Sequence, residues 1–313
     1  MKLAEGKSLD LVGLGMSVLD FIQIVPDFPK TEGVTQTVDN QLMGGGPVPT
    51  ALCMAGNLGA KVAIIDRIGA DWQGELLCEE YQRYGVQTDD LVLEAGKSTS
   101  MANVLVRERD GERHIVFSQG SFTPLKEEEL PKPLLENCKV LHTNGRHWPA
   151  CNDALDIAKQ AGALISFDGG AGRYQPKFDS LLEKVDILIV ARDFAEKYMQ
   201  SDQLEDQLSG LITKGASIAA ITDGANGSWF ASSDGEVFHQ SAYPVESVVD
   251  TTGCGDAFHG GFLYAFSHGW SLRESAAFAS AVAAINATGL GGRGHLPTLA
   301  EVRQVIVDGK VGG

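Results

Sequence analysis

Positive charge is scarce in this chain. Across 313 residues, 25 Lys and Arg stand against 41 Asp and Glu, a formal net charge of −16. Nucleic acid and anionic membrane are thereby excluded as bulk partners, because holding a polyanion takes a basic surface. A local basic pocket for a small anion is still compatible with this balance. Cysteine is scarce as well: Cys53, Cys78, Cys138, Cys151 and Cys254 are scattered, odd in number and never spaced as CxxC. That pattern argues against zinc and makes a reducing cytoplasm the expected compartment. Long apolar runs are missing; none reaches the roughly 20 residues that a bilayer-spanning helix needs. Residues 1–10 are polar, and the apolar run after them is short and broken by Gly13 and Gly15, so no secretory leader is read there.

What is present is a regular alternation of apolar strands and helical patterns. Strands are read at residues 9–14, 61–68, 139–143, 163–167, 186–190 and 217–222. Helices are read at 49–58, 73–84, 152–160, 178–183, 195–199 and 204–214, and the C-terminal part (256–268, 272–287, 299–307) is helical. Such alternation predicts an α/β fold with a mostly parallel sheet covered on both faces. Two regions, 21–43 and 99–119, have strand periodicity without helices between, and Asp110-Gly111 marks a hairpin turn inside the second. They are expected to pair in space as a small second sheet. The proline-rich acidic stretch 124–133 reads as a surface connection with a short helix.

The most informative run is Asp250-Thr251-Thr252-Gly253-Cys254-Gly255-Asp256-Ala257, between an extended stretch and an apolar helix. Gly253 and Gly255 let the backbone approach a ligand closely. Free N–H groups at the helix start attract negative charge. Asp256 lies inside this anion-attracting turn, which makes sense if the amides hold a phosphoryl group while Asp256 takes a proton from an attacking hydroxyl. The plainer reading is a glycine turn with Asp256 as helix N-cap. Cys254 is the one thiol in such a turn and is read as a bystander.

This run closely resembles the C-terminal motif of the PfkB family of carbohydrate kinases. The resemblance implies a ribokinase-like three-layer α/β/α sandwich, a single domain over residues 1–313, with a small β-sheet lid formed by about 21–43 and 99–119. It implies Asp256 as catalytic base and the amides of Gly253, Cys254 and Gly255 as anion hole; Cys254 stands where the family more often has Ala. Other motifs follow in the family's order. Asp20, read at the C-terminal edge of the first strand, is implied to bind sugar hydroxyls, or else caps a turn. Gly44-Gly45-Gly46 matches the N-terminal motif, but Pro49 stands where an Asn is usual. Asn103 is assigned to the substrate, and Asp71 is read as a structural cap.

Arg146 follows the strand 139–143, where an arginine faces the ligand crevice or pairs with a surface acid. A forked guanidinium there suits a phosphate, sulfonate or carboxylate on the substrate. Thr222, Gly224 and Gly227 match a nucleotide-bordering loop. Thr252 and Asn286 are implied to line the nucleotide site, and Asp250 with Thr252 to hold a monovalent cation such as K+. ATP and Mg2+ are the implied cofactors, yet the NxxE motif is absent near residues 191–194, leaving Asp193 or Glu196 to order the Mg2+ waters. His142, His147 and His259 are treated as unlinked. The expected activity is ATP-dependent phosphorylation of a primary hydroxyl on a small sugar or sugar derivative. A nucleoside kinase of the same fold, with Phe21, Phe117 and Phe122 for stacking, is the alternative. A sugar-binding regulator without turnover is the third reading. A homodimer through the lid is an expected partner arrangement.

Overall fold

The computed structural model describes residues 3–312. Leu9–Leu14 (β1) is buried along its whole length, the pattern of a strand covered on both faces. Three residues later the chain leaves the main sheet through Val18–Val25 (β2) and Asp39–Gly45 (β3). It returns as Pro47–Asn57 (α1), Val62–Ile65 (β4) and the short Arg67–Gly69 (β5). Trp72–Arg83 (α2) is capped by Asp71, whose Oδ1 accepts from the Gly74 N–H at 2.9 Å. Val86–Gln87 (β6) and Val92–Glu94 (β7) precede a second excursion, Ser100–Arg107 (β8) and Arg113–Ser118 (β9).

Regular alternation then resumes. Lys132–Glu136 (α3), Cys138–Thr143 (β10), Ala150–Gln160 (α4), Leu164–Gly169 (β11) and Asp179–Leu182 (α5) lead to Ile187–Ala191 (β12). Arg192–Met199 (α6) and Leu204–Thr213 (α7) pack before Ile218–Thr222 (β13), and Ser228–Ser232 (β14) and Val237–Gln240 (β15) add an antiparallel edge. Cys254–Ser267 (α8), Leu272–Asn286 (α9) and Leu299–Asp308 (α10) finish the chain.

The nine-stranded sheet runs β15-β14-β13-β12-β11-β10-β1-β4-β6, parallel from β6 through β13. Apolar cores fill both faces. One lies under α1, α2, α8, α9 and α10; the other lies under α3 to α7. This is the expected three-layer α/β/α arrangement. The carboxyl ends of the parallel strands share one edge, where ligand crevices of open α/β sheets form.

The second sheet is four-stranded, β3-β2-β8-β9. A parallel β2–β8 ladder joins its two sequence-distant halves, Val18 opposite Ser100 through Val25 opposite Arg107. The sheet therefore begins at Val18, earlier than periodicity indicated, and Asp20 sits on β2 rather than at the edge of β1. The strand read at 61–68 divides into β4 and β5, because β5 turns away to pair with β7. Facing side chains Val18, Ile22, Met43, Ala102, Val104 and Val106 give this sheet its own small core, against Met16 and Leu290.

Helix α8 crosses α1 at very close range. A Cβ on Gly260 would lie 2.5 Å from the Ala51 carbonyl oxygen, a backbone atom that cannot swing aside. This approach sets the start of α8 relative to the start of α1, and so positions both glycine motifs. Gly260→Ala is expected to lower stability by about 1–3 kcal/mol, the usual cost of overpacking. Thermal unfolding checks it; an unchanged Tm means the two helices separate freely.

Candidate active site

The Asp250 run forms a backbone cradle at the start of α8. Gly253 is the N-cap, with φ 71°. A Cβ there would strike Gly292, so only glycine serves. Gly255 faces open space, with nothing within 4 Å of where a Cβ would stand. Asp256 is the third helical residue and not the cap; it accepts no hydrogen bond from any described residue. Burial and then the charge of Asp168 push its carboxyl up to about 6, against the pull of Arg173, His259 and Arg293. Burial pushes the Cys254 thiol up to about 11, so this sulfur is no activated nucleophile.

Behind the cradle, Asp250 acts as a brace. Its Oδ1 accepts from the Thr252 N–H (2.8 Å) and hydroxyl (2.7 Å), and its Oδ2 accepts from the Gly291 N–H (2.9 Å). Asn286 is fully buried and its amide donates to the Thr252 carbonyl at 3.2 Å. Asn286 thus braces the cradle loop through its amide, and its buried Oδ1 has no hydrogen-bond partner among the described residues.

Across the crevice stands Asp20. Its carboxylate occupies the space that a side chain on Gly45 would take. Burial raises Asp20 to about 7; Asp256 and Glu80 add to the rise and Arg293 opposes it. Arg293 itself was not singled out by sequence reasoning. Its side chain is wholly buried, with Nη1 3.1 Å from Glu80 Oε2, Nε donating to Thr50 Oγ1 (3.2 Å) and Nη2 to the Gly45 carbonyl (3.2 Å). Glu80 also accepts from the Gly44 N–H at 2.5 Å. Gly46, φ 89°, turns the chain into α1 beside the Met16 carbonyl. The only sequence signal for Arg293 is one cation among Gly289, Gly291, Gly292 and Gly294.

The ends of β10 and β11 supply a polar floor. Arg146 is exposed and has no ion pair or hydrogen bond among the described residues, whereas a surface pair was one of its two readings. Partial desolvation and then the charge of Arg173 draw its guanidinium below the ordinary value. Asp168 is buried at the end of β11, with Oδ1 3.4 Å from His259 Nε2 and Oδ2 without a hydrogen-bond partner among the described residues. Burial opposes the ionised form of Asp168, but His259 and Arg173 hold its carboxyl below the usual range. The His142 ring lies 5.2 Å from that of His259 and its Nδ1 meets Ser166 Oγ at 3.1 Å; burial pushes it down to about 3, so it stays neutral. The treatment of these histidines as unlinked is corrected for His142 and His259. His147 lies apart, 2.6 Å from Asp66.

The remaining expected residues divide. Asn103 pairs with Phe21, and the two share the face of the small sheet opposite to Asp20, which pairs with Ala102; Asn103 is not brought to the crevice. Phe117 pairs with Ala102, shares the Asp20 face and is 47% exposed. Thr222 ends β13, with Gly224 (φ 51°) and Gly227 (φ 88°) forming the turn into β14. Asp193 accepts from the Gly172 N–H at 2.7 Å, and Glu196 pairs with Arg192 at 3.4 Å, so both acids offered for Mg2+ waters are engaged. No helix among the described residues is long and apolar enough to cross a membrane, and none of their His, Cys, Asp and Glu form a cluster of three suited to a metal.

Comparison with known proteins gives this arrangement a family. The chain is 30% identical to fructokinase-1 of Zea mays, over 97% of this chain and 99% of the other. It is 26% identical to a nucleoside kinase of Methanothermobacter thermautotrophicus, covering 93% and 94%. The Arabidopsis thaliana ribokinase solved with ribose and ATP superposes with a TM-score of 0.82 at 22% identity, over 95% and 98% of the two chains, and shares this ribokinase-like fold. Residues 8–299 match the pfkB family of carbohydrate kinases, and with the cradle, the two facing aspartates and the three-layer fold in place, the chain belongs to that family.

Proposed function

We propose that this kinase transfers the γ-phosphoryl group of ATP to a primary hydroxyl of a small sugar or sugar derivative, with Asp256 as general base. The observation that carries this reading is the state of Asp256. Its carboxylate has no partner among the described residues and is tuned to about 6. It sits beside a cradle in which the Gly253 and Gly255 amides are unpaired among those residues and the Cys254 N–H makes only a long 3.4 Å bond to the Thr251 carbonyl. A base in that range is ionised at neutral pH yet basic enough to accept a hydroxyl proton as the bond to phosphorus forms. The cradle amides meet the charge on the phosphoryl oxygens, an effect worth about 3–4 kcal/mol per donor in comparable oxyanion sites.

Asp20 and the Gly44, Gly45 and Gly46 backbone orient the acceptor from the opposite wall, with Arg146 at the crevice floor. Thr222, Gly224, Gly227 and Thr252 border the nucleotide. Closure of the small sheet over the acceptor excludes water and limits wasteful hydrolysis. Ribokinase-like kinases use ATP with Mg2+. The unpartnered Asp168 Oδ2, together with Asp256, fits a water-mediated Mg2+ better than the engaged Asp193 and Glu196 do. When bound, Mg2+ supplies positive charge to the polyphosphate. A nucleoside acceptor is the second reading, favoured by the exposed Phe117 ring on the Asp20 face.

Asp256→Asn is expected to lower kcat/KM by about 10²–10⁴, the range of general-base contributions. The assay is ADP release across a panel of sugars, sugar acids and nucleosides; activity within about tenfold of the parent rejects Asp256 as base. Because the ionised form is the active one, the parent rate climbs with pH through about 6 and levels above it. A profile flat from acid to neutral pH contradicts this tuning.

Asp20 makes a separate prediction. Its carboxyl lies higher in the folded state (about 7) than its ordinary 3.8, so the folded protein binds the proton more tightly. Its contribution to stability therefore falls as pH rises from about 4 to about 7. Asp20→Asn is expected to raise Tm by a few degrees at pH 8, with the gain vanishing below about pH 4, while turnover is lost. A lower Tm at pH 8 overturns the assignment.

A further inference from the structure

Arg113 opens β9 at the far edge of the small sheet. It pairs with Val106, so its side chain shares the face that carries Val104, Ala102 and Asp20. From there it reaches the cradle. Its Nη1 donates to Thr252 Oγ1 at 2.6 Å and stands 3.7 Å from Asp250 Oδ1. The Thr252 hydroxyl is thus used twice, donating to Asp250 and accepting from Arg113. Arg113 is also the only cationic side chain within ion-pair distance of the buried Asp250 carboxylate among the described residues.

These contacts bear on the monovalent cation expected at Asp250 and Thr252, and the residues do not fit it. A cation needs free oxygen lone pairs. Of the roughly four acceptor sites on the Asp250 carboxylate, Thr252 fills two at Oδ1 and the Gly291 N–H fills one at Oδ2. The Arg113 guanidinium stands against Oδ1 and repels a second positive charge, so the one remaining site takes a cation only when Arg113 is removed.

We propose that Arg113 is a positioning residue that clips the small sheet onto the phosphate cradle and supplies the positive charge of the Asp250–Thr252 turn, making the enzyme independent of a monovalent cation there. The clip ties closure over the acceptor to the ordering of the amides that meet the phosphoryl group. It rests on the reading of the Gly253–Gly255 cradle as the site of phosphoryl transfer. An arginine suits the task because it never loses its charge and donates along a fixed fork.

The test compares the parent with Arg113→Ala and Arg113→Lys, in KCl and in tetramethylammonium chloride at equal ionic strength. The parent is expected to keep its kcat, within about twofold, when K+ is withdrawn. Arg113→Ala is expected to lose about tenfold in kcat, the usual scale of one charge-assisted hydrogen bond, with KM for the acceptor little changed. Added KCl restores part of that loss, and Arg113→Lys retains most of the parent rate. Hydrogen exchange of the amides at 250–256 gives a readout independent of turnover: exchange quickens in Arg113→Ala and slows again with KCl. A parent that needs K+, or an alanine variant with parental kcat and parental exchange, overturns the proposal. If no acceptor is phosphorylated but the exchange pattern holds, the clip stands and the proposed reaction falls.

Discussion

The active crevice depends on one buried guanidinium. Arg293 joins four pieces of chain: β3 through the Gly45 carbonyl, α1 through Thr50, α2 through Glu80, and its own glycine loop. Burying a charge is costly, and a buried pair seldom stabilises more than a well-packed apolar contact would. What it supplies is a unique arrangement. With Arg293 in place, β3 lies where Gly45 makes room for Asp20, and Gly292 lies where Gly253 can touch it. Both walls of the crevice are thus referred to one side chain, whose charge also restrains the rise of Asp20 and Asp256.

The crevice divides its carboxylates by environment. Asp256 and Asp168 are close enough to oppose each other's ionisation, and the neighbouring charges separate them. His259 and Arg173 hold the Asp168 carboxyl below the usual range, whereas burial and the charge of Asp168 push Asp256 up to about 6. Two acids whose values are pushed apart in this way take different roles at one pH. Neutral His142 fills the space beneath without adding a competing charge.

How much of this was legible in the sequence depended on how far apart the cooperating residues lie. The helix start at the cradle was legible because its glycines and helix are consecutive, whereas the extended stretch expected at 238–249 before it is a strand only as far as Gln240, the chain running on to Gly253 without a further strand. The Asp110-Gly111 hairpin between β8 and β9 was local too. Asp20 was placed on the wrong strand because the break after β1 becomes visible only when β2 finds β8 much later in the chain. Asn103 was lost to parity: strand side chains alternate, and the β2–β8 register sets which face it takes. Arg293, Asp168 and the His142–His259 pair escaped notice because each draws its meaning from partners on other elements. Asn286 was seen as polar and near the nucleotide region, but its burial behind Thr252 is a tertiary fact.

The small sheet is built wholly from two excursions, one between β1 and α1 and the other between β7 and β10. Neither interrupts the ladder of the nine-stranded sheet. Changes of length or residue in these inserts, away from Gly44, Gly45 and Arg113, reshape the cover above the acceptor without touching that ladder. A lineage carrying such a frame explores new acceptors by varying the cover, while Asp20, Gly45 and Arg113 on the same inserts stay under selection for chemistry.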